Sequence, residues 1–338
     1  SYWDKLIALG ITPYDLVLRK LSLSTFLKLL RILKKEKPDL IHTHGKGPGL
    51  YGRLLGWMLG IPVVHTFHGF QYKLLPTIQR WFYLFVENVL TLLTNYHIFV
   101  GNGEKNKAKI LMFLNDSNSS VVNNGIDLDA IQALPLAEEV IASLDLGSRE
   151  SIKIFGTLSR VSPEKGLDTL LEGFSEAVKT APYIRLLIIG DCPDEHEKYI
   201  NTVKQYIHTN GLNKVVKILG PREDALEILK SIDFYISSSR SEGLPYNLLE
   251  ALAVGKPLMA TDIPGNNDIV RKYVEGILVP VNLARTLAHG ILTLLELGPE
   301  ERKAMQQNGE ARIRDQFSLS LMTQKTFSLY KKVLEGSS

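Results

Sequence analysis

The sequence predicts an α/β fold made of two doubly wound, parallel-sheet halves. Short apolar runs alternate with longer stretches of helical period along the whole chain, the pattern of repeated β-α-β units. The 338 residues exceed what one hydrophobic core usually serves, about 250–300 residues. Between two strand-rich stretches the patterning weakens over residues 134–149.

The first half, residues 1–145, opens without an initial strand–glycine-loop–helix unit. Its strands are expected at residues 39–42, 62–66, 97–101 and 120–122. In the second half, residues 146–316, they are expected at 152–155, 185–189, 215–219, 234–237, 257–260 and 277–279. Helices fill the gaps, the clearest over residues 163–177. Ser162 can cap it, Pro163 suits its first position, and Leu167, Leu170, Leu171 and Phe174 line one face. A last helical segment, 319–334, follows completion of the second sheet. With it, residues 317–338 are expected to cross back onto the first half.

Hydrophobic content of 45% and charged content of 22% are ordinary for a soluble globular protein. The single cysteine, Cys192, leaves no internal disulfide and no cysteine-based metal site, which suits a reducing compartment. No apolar run reaches the ~18–20 residues of a bilayer span and no secretory signal opens the chain, so a cytoplasmic location is expected. Net charge is +3, yet residues 1–70 hold ten Lys/Arg against four Asp/Glu. Lys28, Arg31, Lys34, Lys35 and Lys37 lie beside an apolar stripe of Phe26, Leu29, Leu30 and Leu33. Such a segment is a solvated amphipathic helix or a peripheral contact with anionic lipid at the inner face of the cell membrane. No RNA- or DNA-binding signature accompanies the charge, so nucleic acid is not an expected partner.

The loop Ser238-Ser239-Arg240-Ser241-Glu242-Gly243-Leu244-Pro245 joins an apolar run to a helical stretch holding Glu250. A loop ending at a helix N-terminus presents N–H groups and a positive dipole end to an anion. Two carboxylates beside it, Glu242 and Glu250, suit a ligand carrying both phosphate and hydroxyls. Arg160 and Lys165 flank the turn after the strand at 152–155 and Gly156, well placed to neutralise a leaving diphosphate. His68, before Gly69 and Phe70, ends another strand where its ring can reach a cleft, and His42, His44 and His65 end strands nearby.

Gly47-Pro48-Gly49-Leu50-Tyr51-Gly52 matches the G-x-G-x-x-G dinucleotide fingerprint. The next strand lacks the acidic residue that would hold a ribose, and the first later carboxylate is Glu87, which argues against hydride transfer. Gly47 and Gly49 are instead expected to form a substrate-accommodating turn at the cleft. Asp127-Leu128-Asp129 resembles a D-x-D metal motif, but in a turn entering a helix Asp is common as a cap. No His, Cys and carboxylate cluster has metal-site spacing. Trp81, Phe82, Tyr83 and Phe85 read as core or as the rim of an acceptor groove.

Taken in order, these motifs resemble the family 4 glycosyltransferases, which have the GT-B fold of two Rossmann-like domains facing a cleft. The segments that carry the resemblance are Gly156-Thr157-Leu158-Ser159-Arg160, Ser162-Pro163-Glu164-Lys165-Gly166, the E-x7-E pair Glu242 and Glu250, Gly255-Lys256-Pro257 and Thr261-Asp262-Ile263-Pro264-Gly265. In the first half they are Asp39-Leu40-Ile41-His42-Thr43-His44, His65-Thr66-Phe67-His68-Gly69 and Asn124-Gly125-Ile126-Asp127. The resemblance implies a nucleoside-diphosphate sugar donor, UDP-linked by frequency within the family, held mainly by the second domain. Arg160 and Lys165 would hold the diphosphate, Glu242 the sugar hydroxyls and Glu250 the ribose diol. Gly243 and Leu244 would give N–H groups to the phosphates, with Gly156 and Pro245 in the same donor motifs. Arg222, after Gly220 and Pro221, would border the base, and His68 would approach the reacting sugar from the other domain. The resemblance further implies retention of anomeric configuration, no bound metal, no cofactor beyond the donor, and a glycan or lipid-linked acceptor in surface polysaccharide synthesis.

There are departures. The family's first glycine-rich loop is not recognisable, and Asn266, Asn267 and Asp268 stand where the family has a glycine followed by a glutamate. Other readings are a nucleotide-sugar epimerase or hydrolase on the same fold and a catalytically silent nucleotide-sugar-binding subunit.

Overall fold

A computed structural model describes residues 2–18, 21–69 and 77–336. Within these, the first parallel sheet runs β1 (Ile41–His44), β2 (Val63–Phe67), β3 (Tyr96–Phe99) and β4 (Ser119–Val121), in spatial order β1-β2-β3-β4. The second comprises β5 (Lys153–Leu158), β6 (Ile184–Ile189), β7 (Val216–Gly220), β8 (Phe234–Ser237), β9 (Leu258–Thr261) and β10 (Ile277–Val279), in order β10-β9-β8-β5-β6-β7. Every strand pair is parallel. In β2, β3, β8, β9 and β10 every residue is buried, because helices cover both faces of the sheets.

In the first sheet, successive crossovers move in one direction. Right-handed connections then place the helices Lys46–Leu59, Thr77–Leu92 and Asn102–Leu111 on the same face. The last helix, Leu319–Glu335, packs Val333 and the half-buried Met322, Leu329 and Tyr330 against Val64, Tyr96, Ile98 and Val122. It enters that site through a bridge between Ile126 and Ser318. Among the described residues no helix is long and apolar enough to cross a membrane.

Three local expectations change. Residues 163–165 form a single 3-10 turn and the α-helix spans Leu167–Thr180, because Gly166 sits in the left-handed region at φ 65 and interrupts it. Ser162 makes no capping bond. Gly47 and Gly49 lie inside the Lys46–Leu59 helix, not in a turn; the turn residue is Gly45, at φ 70. A Cβ on Gly49 would sit 2.5 Å from the His65 ring and one on Gly52 2.2 Å from Thr43, so these two glycines let the helix approach the sheet. Finally, Trp81, Phe82 and Phe85 are not core: they are 71%, 69% and 66% exposed.

Candidate active site

The order of the second sheet reverses between β5 and β8, since β5-β6-β7 build outward one way and β8-β9-β10 the other. At such a switch point the loops leaving the strand C-termini part and open a crevice. The loop after β5 carries Arg160 and Lys165; the loop after β8 carries Glu242, Gly243 and Leu244 and leads into the Tyr246–Ala253 helix with Glu250.

Several bonds fasten the two loops. Ser238 Oγ donates to the Lys165 carbonyl at 2.8 Å, and the Arg240 N–H donates to the Glu164 carbonyl at 2.7 Å. The Arg240 guanidinium reaches the Pro163 carbonyl, Asp168, Thr169 and Asn282. Gly166 is required here, since a Cβ would lie 2.4 Å from the Ser238 carbonyl oxygen. Lys165 Nζ thereby meets Glu242 Oε1 at 2.6 Å, and Ser239 Oγ donates to the same oxygen at 2.6 Å. Both charged side chains are nearly buried.

Beside this pair, Arg160 is exposed and, among the described residues, its one ion pair is with Glu164, at 3.8 Å. Glu250 is half-buried, has no hydrogen-bond or ion-pair partner among the described residues, and has its pKa raised by burial. Backbone N–H groups of Gly243 and Leu244 likewise lack partners among those residues. Among the described residues the site thus offers a loosely paired guanidinium, a lysine–glutamate pair, an unpartnered carboxylate and two N–H donors by a helix start, a set suited to a diphosphate joined to diols.

The first sheet meets this edge with its own strand C-termini. Gly243 lies against His68, where a Cβ would be 2.3 Å from the His68 carbonyl oxygen. Asn124 Nδ2 donates to the Leu244 carbonyl at 2.7 Å, and Asp268 Oδ2 accepts from the Gly103 N–H at 3.0 Å. The last contact caps the Asn102–Leu111 helix across the boundary and gives Asp268 a defined role. His68 Nε2 lies 2.9 Å from His44 Nδ1, and His42 joins them with its ring 4.2 Å from that of His44. Burial and then repulsion from His44 hold His68 down to about 4; burial, His44 and His68 hold His42 down to about 3. The cluster is neutral at pH 7 and acts through hydrogen bonds, not charge. Phe70, expected to complete the turn after His68, lies outside the described residues.

The other expected residues sit as follows. Pro245 is the buried residue that starts the Tyr246–Ala253 helix. Arg222 follows β7 and is held bidentately by Asp224 at 2.7 and 2.6 Å. Gly156 lies inside β5 beneath Ile232, where a Cβ would be 2.5 Å from that side chain. Gly49 is buried under His65, within its helix, and Gly47 lies in the first turn of that helix. His65 bonds Thr43 at 2.7 Å above a buried Arg53–Glu87 pair, within the first domain. Asp127 caps the Leu128–Gln132 helix and Asp129 pairs with Arg314. Arg240, Asp168, Ser239 and Asn124 were not singled out, because, apart from Ser239 and Glu242, their partners lie far along the chain, from 31 residues for Asp168 and Tyr199 to 120 for Asn124 and Leu244.

Comparison with known proteins agrees with this geometry. The family described as "Glycosyl transferases group 1" matches residues 143–312, half of the chain. The chain belongs to the group 1 glycosyltransferases. A second description, "Glycosyltransferase Family 4", matches residues 7–130 of this glycosyltransferase. It is 27% identical over 322 residues to the Escherichia coli UDP-Gal:alpha-D-GlcNAc-diphosphoundecaprenol alpha-1,3-galactosyltransferase, covering 91% of this chain and 79% of that one. It is 28% identical over 278 residues to the alpha-monoglucosyldiacylglycerol synthase of Streptococcus pneumoniae, covering 77% of this chain and 60% of that one. Its fold matches Anabaena HepE, solved in complex with UDP-glucose, with TM-score 0.83 at 20% identity over 98% of this chain and 89% of that one.

Proposed function

We propose that this glycosyltransferase moves a sugar from a UDP-sugar to a lipid-linked or glycan acceptor, with retention, in surface polysaccharide or glycolipid synthesis. The observation that carries the donor assignment is the set Arg160, Lys165–Glu242 and Glu250 at the switch point of the second sheet. Arg160 and Lys165 flank the diphosphate and stabilise the charge that grows on it as the glycosidic bond breaks, an electrostatic role that often dominates catalysis. Glu242, steadied by Lys165 and Ser239, accepts hydrogen bonds from sugar hydroxyls. Glu250 accepts from the ribose diol. With two side-chain cations at the leaving group, the reaction needs no metal and no cofactor beyond the donor. Neutral His68 faces the sugar from the first domain as a hydrogen-bonding group, and Arg222 borders the base.

The acceptor reading rests on the Thr77–Leu92 helix. Ile78, Trp81, Phe82, Phe85, Val89 and Leu92 recur at helical spacing and all face solvent. Exposed apolar stripes rich in Trp and Phe suit the bilayer interface. The Leu23–Glu36 helix, with exposed Lys28, Arg31, Lys34 and Lys35, packs through Phe26 near Tyr51 of the Lys46–Leu59 helix, on the same face of the sheet. A basic flank beside an aromatic stripe matches an anionic membrane surface, and would bring the cleft to a lipid-linked substrate at the inner face of the cell membrane. The names of the E. coli and S. pneumoniae relatives, with a diphosphoundecaprenol-linked acceptor and a diacylglycerol product, support this reading.

The test is incubation with a panel of UDP-sugars, with and without a short-chain diphosphate-linked glycan acceptor, and NMR of the product. An α-linked product from an α-linked donor, formed only with acceptor present, is expected. Consumption of donor without acceptor would point to a hydrolase or epimerase.

A further inference from the structure

A cavity of about 850 Å³ opens at the opposite edge of the second sheet. Its floor is formed by residues that precede strands: Ile152 before β5, Ile232 and Asp233 before β8, and Lys256 and Pro257 before β9. A strand's length, about 15–20 Å, separates it from the Lys165–Glu242 pair. Its outer wall is the connection between the domains, through Leu136, Ile141, Ala142 and Leu146. The size falls within the range of small-molecule sites, about 300–1,000 Å³.

The lining mixes apolar side chains with three cations, Arg149, Lys230 and Lys256, against two carboxylates, Asp233 and Glu138. Lys256 is half-buried, and its ammonium has no hydrogen-bond or ion-pair partner among the described residues. Burial first, then repulsion from Arg149 and Lys230, lowers its pKa to about 8 against the attraction of Asp233. Asp233 is already engaged, by Arg149 at 2.8 Å and by the Ile154 N–H at 2.8 Å. Lys230 donates to the carbonyls of Gln132 and Leu134 at 2.6 and 2.5 Å and has no carboxylate partner among the described residues. Glu138 is exposed at the rim. A half-buried ammonium without a direct ion pair is costly, and Asp233, the carboxylate that attracts it, is already held by Arg149.

We propose that this cavity binds a small amphipathic anion, an apolar body bearing one phosphate or carboxylate group, with Lys256 as its main counter-charge and Lys230 as the second. The hydrocarbon lies against Leu136, Ile141 and Ile232. Because the wall is the interdomain connection, the ligand sits against the segment that joins the domains, remote from the donor.

The experiment is calorimetry on the full chain with monomeric octyl phosphate, octanoate, octyl glucoside and inorganic phosphate, each repeated in saturating UDP. Octyl phosphate or octanoate should bind at one site whether or not UDP is present, and octyl glucoside and inorganic phosphate at least ten-fold more weakly. Lys256→Met should weaken the anion at least ten-fold. Ala142→Trp, which fills the mouth from an exposed position, should abolish binding without disturbing the core. Equal binding of octyl glucoside, unchanged affinity in Lys256→Met with the fold intact, or displacement by UDP would overturn the proposal. Sedimentation with phosphatidic acid vesicles separates the sources. Loss of the bound fraction in Ala142→Trp assigns a lipid headgroup, and an unchanged fraction together with octyl phosphate binding assigns a free molecule.

Discussion

Lys165 Nζ and Glu242 Oε1 lie 2.6 Å apart although 77 residues separate them in the chain. The pair exists because Ser238, Arg240 and Gly166 bring the loops after β5 and β8 together at the switch point of the sheet. Two nearby groups, Arg160 and Glu250, are left without strong partners. A pre-paired core flanked by unpaired groups gives different mutational signatures at neighbouring positions.

Arg160→Ala should lower kcat with donor by about 100-fold, the scale of removing one transition-state donor. Its thermal midpoint should stay within about 1 °C, since an exposed pair at 3.8 Å contributes little. Lys165→Ala should lower kcat comparably and also cost on the order of 2–3 kcal/mol of stability, because it strands a nearly buried Glu242. Denaturant titration beside steady-state kinetics distinguishes the two.

Glu250→Gln should weaken UDP binding about ten-fold while leaving stability at pH 7 unchanged or higher. Burial raises this carboxyl's pKa, so folding opposes its ionisation. The penalty appears as pH rises through the unfolded pKa, and the neutral amide removes it. Calorimetry with UDP and a thermal melt at pH 7 check both halves.

The histidine cluster sets an acid limit. With folded values of about 4 for His68 and about 3 for His42 against 6.5 in the unfolded chain, the unfolded state binds more protons between these limits. Stability is therefore full above pH 6.5 and falls as pH drops toward 4. Urea midpoints at pH 7 and pH 5 should differ less in the His42→Gln, His68→Gln double variant than in the parent.

The exposed helix face predicts membrane binding that depends on aromatic side chains. Trp81→Ser with Phe85→Ser should reduce sedimentation with anionic vesicles by about ten-fold or more, as two large apolar faces are lost at roughly 25 cal/mol per Å². The far-UV spectrum should not change, because neither side chain is in the core.

Much of this was legible before any coordinates. Strands buried on both faces read as apolar runs, and β8 and β10 lie where the pattern placed them, at Phe234–Ser237 and Ile277–Val279. The loops holding Arg160, Lys165, Glu242 and Glu250 could be placed together because they follow strands of one parallel sheet, whose C-terminal edge is where such sheets bind ligands. What escaped has a different physics. The left-handed Gly166 delays its helix, and the distant Ser238 carbonyl that leaves no room for a Cβ there is something no local pattern reports. The Gly49 and Gly52 signature looks the same whether glycine admits a phosphate or a neighbouring strand. Arg240, Asn124 and Asp268 act through side-chain bonds to partners 42 to 165 residues away. The aromatic run in the Thr77–Leu92 helix has the period of a buried face, and the fold leaves it in solvent.

The most direct test is donor turnover by Glu242→Ala, measured as acceptor-dependent UDP release, alongside its circular dichroism and thermal melt. Loss of turnover by about 100-fold or more in a folded protein is the predicted result. Unchanged turnover in a folded Glu242→Ala variant would contradict the assignment of the donor site.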